Sequence, residues 1–172
     1  DLIVGKPTFD SDGLLNAGRA FVYLGSARGP ALSADWTAEG DQVTGFFGAS
    51  VSGAGDVNGD GFDDVIVGAR LYDNGQSDEG RAYLYLGSAS GPSLSPDWTA
   101  ESDQAFSDFG LSVSGAGDVN GDGFDDVIVG ARHFANGQAS EGRALVYLGS
   151  GNGLSLAPDW TAESDQVGAQ FG

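Results

Sequence analysis

The sequence predicts an all-β protein assembled from a repeated unit of four short antiparallel strands. Three observations carry that prediction. Blocks recur at a step of 62 residues: Trp36, Trp98 and Trp160 do so, as do the Gly-Arg-Ala triplets beginning at Gly18, Gly80 and Gly142 and the Phe-Gly pairs at Phe47, Phe109 and Phe171. Every apolar run is short and bounded by turn residues such as Asn136-Gly137, Gly149-Ser150-Gly151 and Pro158. No segment carries a helical period of useful length. Four antiparallel strands at a period above about 40 residues is the signature of a β-propeller blade. A Greek-key sandwich, the plainer competitor, does not explain why each block repeats so faithfully.

Within one repeat the first strand runs from Phe109 to Gly117, with small residues alternating at Ser112, Val113 and Ser114. An acidic loop follows. The second strand, Asp126-Val127-Ile128-Val129-Gly130, is a continuous β-branched run and so reads as buried on both faces, as does Val65-Ile66-Val67 one repeat earlier. A Gly/Asn loop from Ala135 to Gly142 leads to the third strand, Arg143 to Leu148, and the fourth lies near Asp159 to Glu163. Asp1 to Gly5 matches Asp64 to Gly68, so the chain holds about 2.8 repeats. The units are a partial blade at 1–46, lacking its first strand and acidic loop, complete blades at 47–108 and 109–170, and the start of the next repeat at 171–172.

The acidic loop carries the chemistry. Asp56-Val57-Asn58-Gly59-Asp60-Gly61-Phe62-Asp63-Asp64 recurs residue for residue from Asp118 to Asp126. Side-chain oxygens stand at positions 1, 3, 5 and 9: Asp56, Asn58, Asp60 and Asp64, then Asp118, Asn120, Asp122 and Asp126. Oxygen-only donors at alternating positions suit a hard cation such as Ca2+. The EF-hand loop starts alike but needs an acidic ligand at position 12 and flanking helices; here position 12 is Val67 or Val129, inside a strand. The simpler alternative is an Asx turn with solvated carboxylates, yet a turn needs one or two such residues rather than four.

These residues resemble a known family. Phe109-Gly110, then Gly115-Ala116-Gly117, then the nine-residue loop and an apolar strand look like the FG-GAP repeat. Its blades form the β-propeller of integrin alpha subunits and occur in many bacterial secreted proteins. The resemblance covers essentially the whole chain. It implies a Ca2+ site between adjacent strands of each complete blade, with the backbone carbonyls of Phe62 and Phe124 joining the side-chain ligands named above. Gly55 and Gly117 stand where the family's nominal Gly-Ala-Pro has Pro, a departure that leaves the ligands untouched.

Composition bounds the function. The chain has 172 residues, 30 of them Gly, with no Cys and therefore neither a disulfide framework nor a thiolate zinc site. A formal charge of −18 argues against nucleic acid and anionic membranes as partners, and no stretch is apolar enough to span a bilayer. Two bound Ca2+ would bring the charge to about −14.

The remaining recurrent residues read blandly. Asp63 and Asp125 read as surface charges, with a supporting role behind the ligands as the alternative. Arg19, Arg81 and Arg143 read as exposed or inter-blade ion pairs, and the three Trp as packing between blades. His133, the only His, reads as an ordinary loop residue. With no repeated Ser-His-Asp order, nucleophile elbow or phosphate-cradling Gly loop, the chain reads as non-catalytic.

The expected function is an extracellular or cell-surface Ca2+-binding adhesion or recognition module. Its partners would be other repeats of the same protein, a homo-oligomer, or a protein or glycan ligand. The alternatives are a structural subunit of a self-assembling filament or array, and the accessory propeller of a secreted hydrolase. Asp1 aligns with Asp64, and Gly172 with Gly48 and Gly110, so the sequence begins and ends inside a repeat. Three blades cannot close a ring. The chain is therefore expected to be part of an array of six or seven blades, or to pack with copies of itself, rather than to stand alone as a monomer.

Overall fold

A computed structural model describes residues 1–172 and contains strands, turns and bends but no helix. None of its elements is a helix long and apolar enough to cross a membrane. The first sheet has the order β1 (Leu2–Lys6), β2 (Arg19–Tyr23), β5 (Trp36–Glu39), with a two-residue-strand hairpin β3 (Gly25–Ser26) and β4 (Gly29–Pro30) set between β2 and β5 in the chain. The second is β6 (Phe47–Gly55), β7 (Asp64–Ala69), β8 (Arg81–Tyr85), β9 (Trp98–Glu101). The third repeats it as β10 (Phe109–Gly117), β11 (Asp126–Ala131), β12 (Arg143–Tyr147), β13 (Trp160–Glu163). All pairings within these sheets are antiparallel and, apart from β2 with β5, join successive strands, an up-and-down meander, as four-stranded propeller blades require. Strand ends differ from the sequence reading by one residue: β11 extends to Ala131, β12 stops at Tyr147 and β13 starts at Trp160. The hairpin β3–β4 was not anticipated.

The blades stack face to face, and the period of two along each strand sorts side chains between two interfaces. Val65, Val67, Ala69, Tyr83 and Tyr85 pack against Ala20, Val22, Trp36 and Phe47 in the seam facing the first sheet. Ile66, Ala82, Leu84 and Trp98 point the other way, against Phe109, Val113, Val127, Val129 and Tyr147 of the third sheet. All six residues of β7 are buried, because apolar neighbours lie on both faces.

The indoles join successive blades. Trp36 meets Tyr85 edge-on at 5.0 Å and donates its N–H to Ser93 O at 2.9 Å; Trp98 repeats both contacts with Tyr147, at 4.9 Å, and Ser155 O. Trp160 departs from the expectation. It is 52% exposed, on the face of the third sheet that no further sheet of this chain covers. Ile128 departs likewise and is only half-buried, whereas its counterpart Ile66 is sealed in the seam.

Two devices bring the blades close. Parallel bridges pair Gly18 with Phe47, Gly80 with Phe109 and Gly142 with Phe171, so the entry to one blade's third strand is stitched to the next blade's Phe-Gly pair. Gly68 in β7 lies so near Gly110 O that an added Cβ would collide with that carbonyl, and Ser50 Oγ donates to the same oxygen at 2.7 Å. The Gly in each position is thus a requirement of backbone approach between sheets.

Candidate metal centre

The first acidic loop joins β6 to β7 and folds around its own carboxylates. Asp56 Oδ1 accepts the backbone N–H of Gly59 at 2.7 Å and of Asp60 at 3.0 Å, while Oδ2 accepts that of Gly61 at 2.8 Å. Asn58 Oδ1 accepts from Asp60 N, and Asp60 Oδ1 from Phe62 N, both at 3.0 Å. Asn58 Nδ2 donates to Asp60 Oδ2 at 2.9 Å. Asp64, 1% exposed, closes the loop: Oδ2 accepts from Val57 N at 2.9 Å and Oδ1 from Gly87 N at 2.7 Å. Such nested Asx turns need positive φ where the chain reverses, and Gly59 and Gly61 supply it at 74° and 89°.

The second loop, between β10 and β11, repeats the pattern. Asp118 accepts from Gly121, Asp122 and Gly123; Asn120 and Asp122 pair at 2.8 Å; Asp122 Oδ1 accepts from Phe124 N; Asp126 accepts from Val119 and Gly149 N–H. In each loop a buried carboxylate at a strand's first residue faces two on the turn, both exposed in the second loop and one of them, Asp56, half-buried in the first. Phe62 is exposed at the tip of the first loop, while the ring of Phe124 reaches across to Gly59, where an added Cβ would lie 2.6 Å from it.

The electrostatics of the first loop favour a cation. Burial pushes the Asp64 carboxyl up to about 6; the N–H groups of Gly87 and Val57 oppose that rise, and the negative fields of Asp60 and Asp56 add to it. A hard cation would supply the countercharge that Asp64 lacks, and the donor set of carboxylate, amide and carbonyl oxygens matches Ca2+. In the second loop, Asp118 is held below the ordinary carboxylate range by the N–H of Gly123 and, less strongly, of Gly121 and Asp122.

Asp125 does more than decorate a surface. Its Oδ2 accepts from Asp56 N at 2.9 Å, and its own N–H donates to Asp56 O at 3.1 Å. The last turn of one acidic loop thus holds the first residue of the loop in the preceding blade. The arginines form ion pairs, as expected, but half-buried and within a blade rather than exposed or between blades. Arg19, Arg81 and Arg143 each pair within their own blade, with Glu39, Glu101 and Glu163, their register partners across the sheet. Their guanidinium carbons lie 3.8, 3.9 and 3.7 Å from the rings of Phe9, Tyr72 and Phe134. His133 sits with Nδ1 3.2 Å from Asp108 Oδ2, beside Arg132 on the same carboxylate.

Two further acidic groups went unremarked in the sequence. Glu79, Glu101 and Asp103 place one carboxylate oxygen each within 4.8 Å of one another, as do Glu141, Glu163 and Asp165. The signal available was the Glu that precedes Gly-Arg-Ala in the second and third repeats, where the first has Ala17.

The FG-GAP repeat model matches residues 47–85 and 109–147, from each Phe-Gly pair through the acidic loop to the end of the third strand. Mouse integrin alpha-IIb is 36% identical over 140 residues, covering 77% of this chain and 13% of its own length. Chicken integrin alpha-8 is 32% identical over 183 aligned positions, covering 97% and 17%. Drosophila integrin alpha-PS2 is 38% identical over 139 residues, covering 74% and 10%. The chain spans less than a fifth of the length of each of these relatives.

Proposed function

The chain belongs to the FG-GAP repeat family, and on that premise we propose that it is an extracellular, Ca2+-binding propeller segment that serves adhesion or recognition without catalysis. The observation that carries this reading is the duplicated loop: two identical oxygen-rich turns with the same internal hydrogen bonds, each ending in a strand-initial Asp at the blade edge. In the first loop Asp56, Asn58, Asp60, Asp64 and the Phe62 carbonyl would hold the ion; in the second, Asp118, Asn120, Asp122, Asp126 and the Phe124 carbonyl. The ion would neutralise converging carboxylates and tie the end of one strand to the start of the next.

The protein's own residues then set the mechanics. Asp64 anchors the loop to the backbone of Gly87, just beyond β8, so a stiffened loop stiffens three strands of the blade. Asp125 carries that order to the preceding loop through Asp56. The result is a rigid blade edge on which a protein or glycan ligand would find a fixed surface.

Chelation tests the reading. Extracellular modules bind Ca2+ at about 0.1–1 mM, and occupancy at a hundred times the dissociation constant is worth about 2.7 kcal/mol per site. Two sites then correspond to a Tm difference of about 10–20 °C for a chain of this size. EDTA is expected to remove that increment, and Asp60→Ala about half of it. An unchanged melt together with no Ca2+ by elemental analysis refutes the metal reading.

A further inference from the structure

The geometry points to a second class of cation site, which goes beyond the acidic loops: Glu79, Glu101 and Asp103 in one blade, and Glu141, Glu163 and Asp165 in the next, each form an oxygen cage for a hard divalent cation, Ca2+ by size. These residues lie where β7 passes to β8 and where β9 ends. In an up-and-down meander that is the opposite end of the blade from the loop joining β6 to β7.

The decisive atom is buried and alone. Glu79 and Glu141 are both fully buried, at 0% exposure, and in each the Oε2 atom has no hydrogen-bond partner. The other oxygen is committed: Glu79 Oε1 accepts from Asn74 N at 2.7 Å and Gln76 N at 3.4 Å, and Glu141 Oε1 accepts from Asn136 N. Those bonds fix the carboxylate and leave Oε2 without a hydrogen-bond partner. A buried, unpaired carboxylate oxygen is costly, and native proteins place a partner there.

The partner must be positive. Glu101 pairs with Arg81 and accepts from Asn74 Nδ2 at 2.9 Å; Glu163 does the same with Arg143 and Asn136 Nδ2 at 3.0 Å. Three carboxylates against one guanidinium leave two negative charges in each group, which one divalent ion balances. The carboxylate oxygens lie within 4.8 Å of one another. Oxygens on opposite sides of a Ca2+ stand about 4.6–5.2 Å apart, and adjacent ones closer, so the cage has the right span. Asp103 and Asp165 are exposed, which opens one side to water ligands.

The first blade supplies an internal control. There Ala17 stands in place of the buried Glu, although Glu39 and Asp41 are retained, and Glu39 takes the Ser11 hydroxyl together with Arg19. The orphan oxygen disappears along with the triad. The site also sits on the seam between blades: Glu79 O accepts from Phe109 N at 3.1 Å and Ser107 Oγ at 2.7 Å, and Glu141 O accepts from Phe171 N at 3.0 Å. A cation there would brace that seam as the acidic loops brace the other end.

Equilibrium dialysis of the intact chain with radiolabelled Ca2+ tests the assignment. The expected count is four ions per chain. Asp60→Ala with Asp122→Ala leaves the two triad sites, and Glu79→Gln with Glu141→Gln leaves the two loop sites. Should the Gln variants fail to fold, Asp103→Asn with Asp165→Asn decides, because both residues are exposed and sit at φ 55°, a left-handed conformation that Asn accepts. That pair is expected to weaken two of the four sites at least tenfold. A wild-type count of two that Asp103→Asn with Asp165→Asn leaves unchanged overturns the proposal. A count of two that survives Asp60→Ala with Asp122→Ala but is lost in the Asn pair supports the triads and refutes the loops.

Discussion

Ile66 and Ile128 occupy the same place in successive repeats, and truncating each to Ala separates sequence from packing. Ile66 is fully buried between the second and third sheets, in the cluster that contains Leu84, Trp98, Val113, Val127 and Tyr147. Removing three carbons forfeits about 2.4 kcal/mol of transfer free energy at about 0.8 kcal/mol each, and a cavity closed on both sides adds to it. The expected loss for Ile66→Ala is about 3–4 kcal/mol. Ile128 is half-buried on the uncovered face, so it forfeits about half the transfer term and leaves no closed cavity; about 1 kcal/mol is expected. Urea unfolding of both variants, followed by Trp fluorescence with saturating Ca2+ throughout, gives the two values under one set of conditions. Equal losses would refute the claim that stacking of neighbouring blades, rather than the strand itself, supplies the burial.

Other perturbations follow from the same contacts. Gly68→Ala is expected to cost about 4 kcal/mol or more, because its Cβ meets the Gly110 carbonyl, whereas Gly61→Ala costs only the left-handed strain of about 1–2 kcal/mol since nothing lies within 4 Å; thermal melts of the pair check this. Asp125→Ala leaves Asp56 N without its acceptor and should cost about 1–3 kcal/mol by urea titration, more than a solvated surface charge would. The pH dependence has a definite sign. Asp64 is raised from 3.8 to about 6, so its protonation favours the metal-free fold; that contribution is complete below about pH 4 and is lost as pH rises through 6. Ca2+ must displace that proton, so affinity at the first loop should fall roughly tenfold per pH unit below 6, as read by calorimetry with Asp122→Ala silencing the second loop and Asp103→Asn with Asp165→Asn weakening the triads.

Much of the fold was legible because the repeat is strict. The Phe-Gly pairs, the Gly-Arg-Ala triplets and the β-branched run each fall on the expected strand, since alternation and turn residues determine strands locally. Burial was less legible. Val65-Ile66-Val67 and Val127-Ile128-Val129 are identical in sequence, yet Ile128 and Trp160 are more exposed than their counterparts, because period shows which face is apolar and not what covers it. The partners of the arginines were not legible for a related reason: the register that places Arg81 opposite Glu101 comes from strand pairing, which the spacing of the two residues does not reveal. The inter-blade role of Asp125 depends on how closely two loops approach, and the orphan oxygens of Glu79 and Glu141 depend on burial within a polar loop. Neither has a local pattern beyond recurrence. Of the ten loop residues named from the sequence, eight lie on the two turns and Asp64 and Asp126 begin the strands that follow.

The most direct test of the calcium account is a crystal structure of the chain grown in Ca2+, with anomalous data collected at long wavelength. The account predicts one anomalous peak in each acidic loop, 2.3–2.6 Å, the usual Ca–O range, from oxygens of Asp56, Asn58, Asp60, Asp64 and the Phe62 carbonyl, and from the matching oxygens of Asp118 to Asp126. Loops that keep their internal Asx turns with no peak above noise at saturating Ca2+ would contradict it.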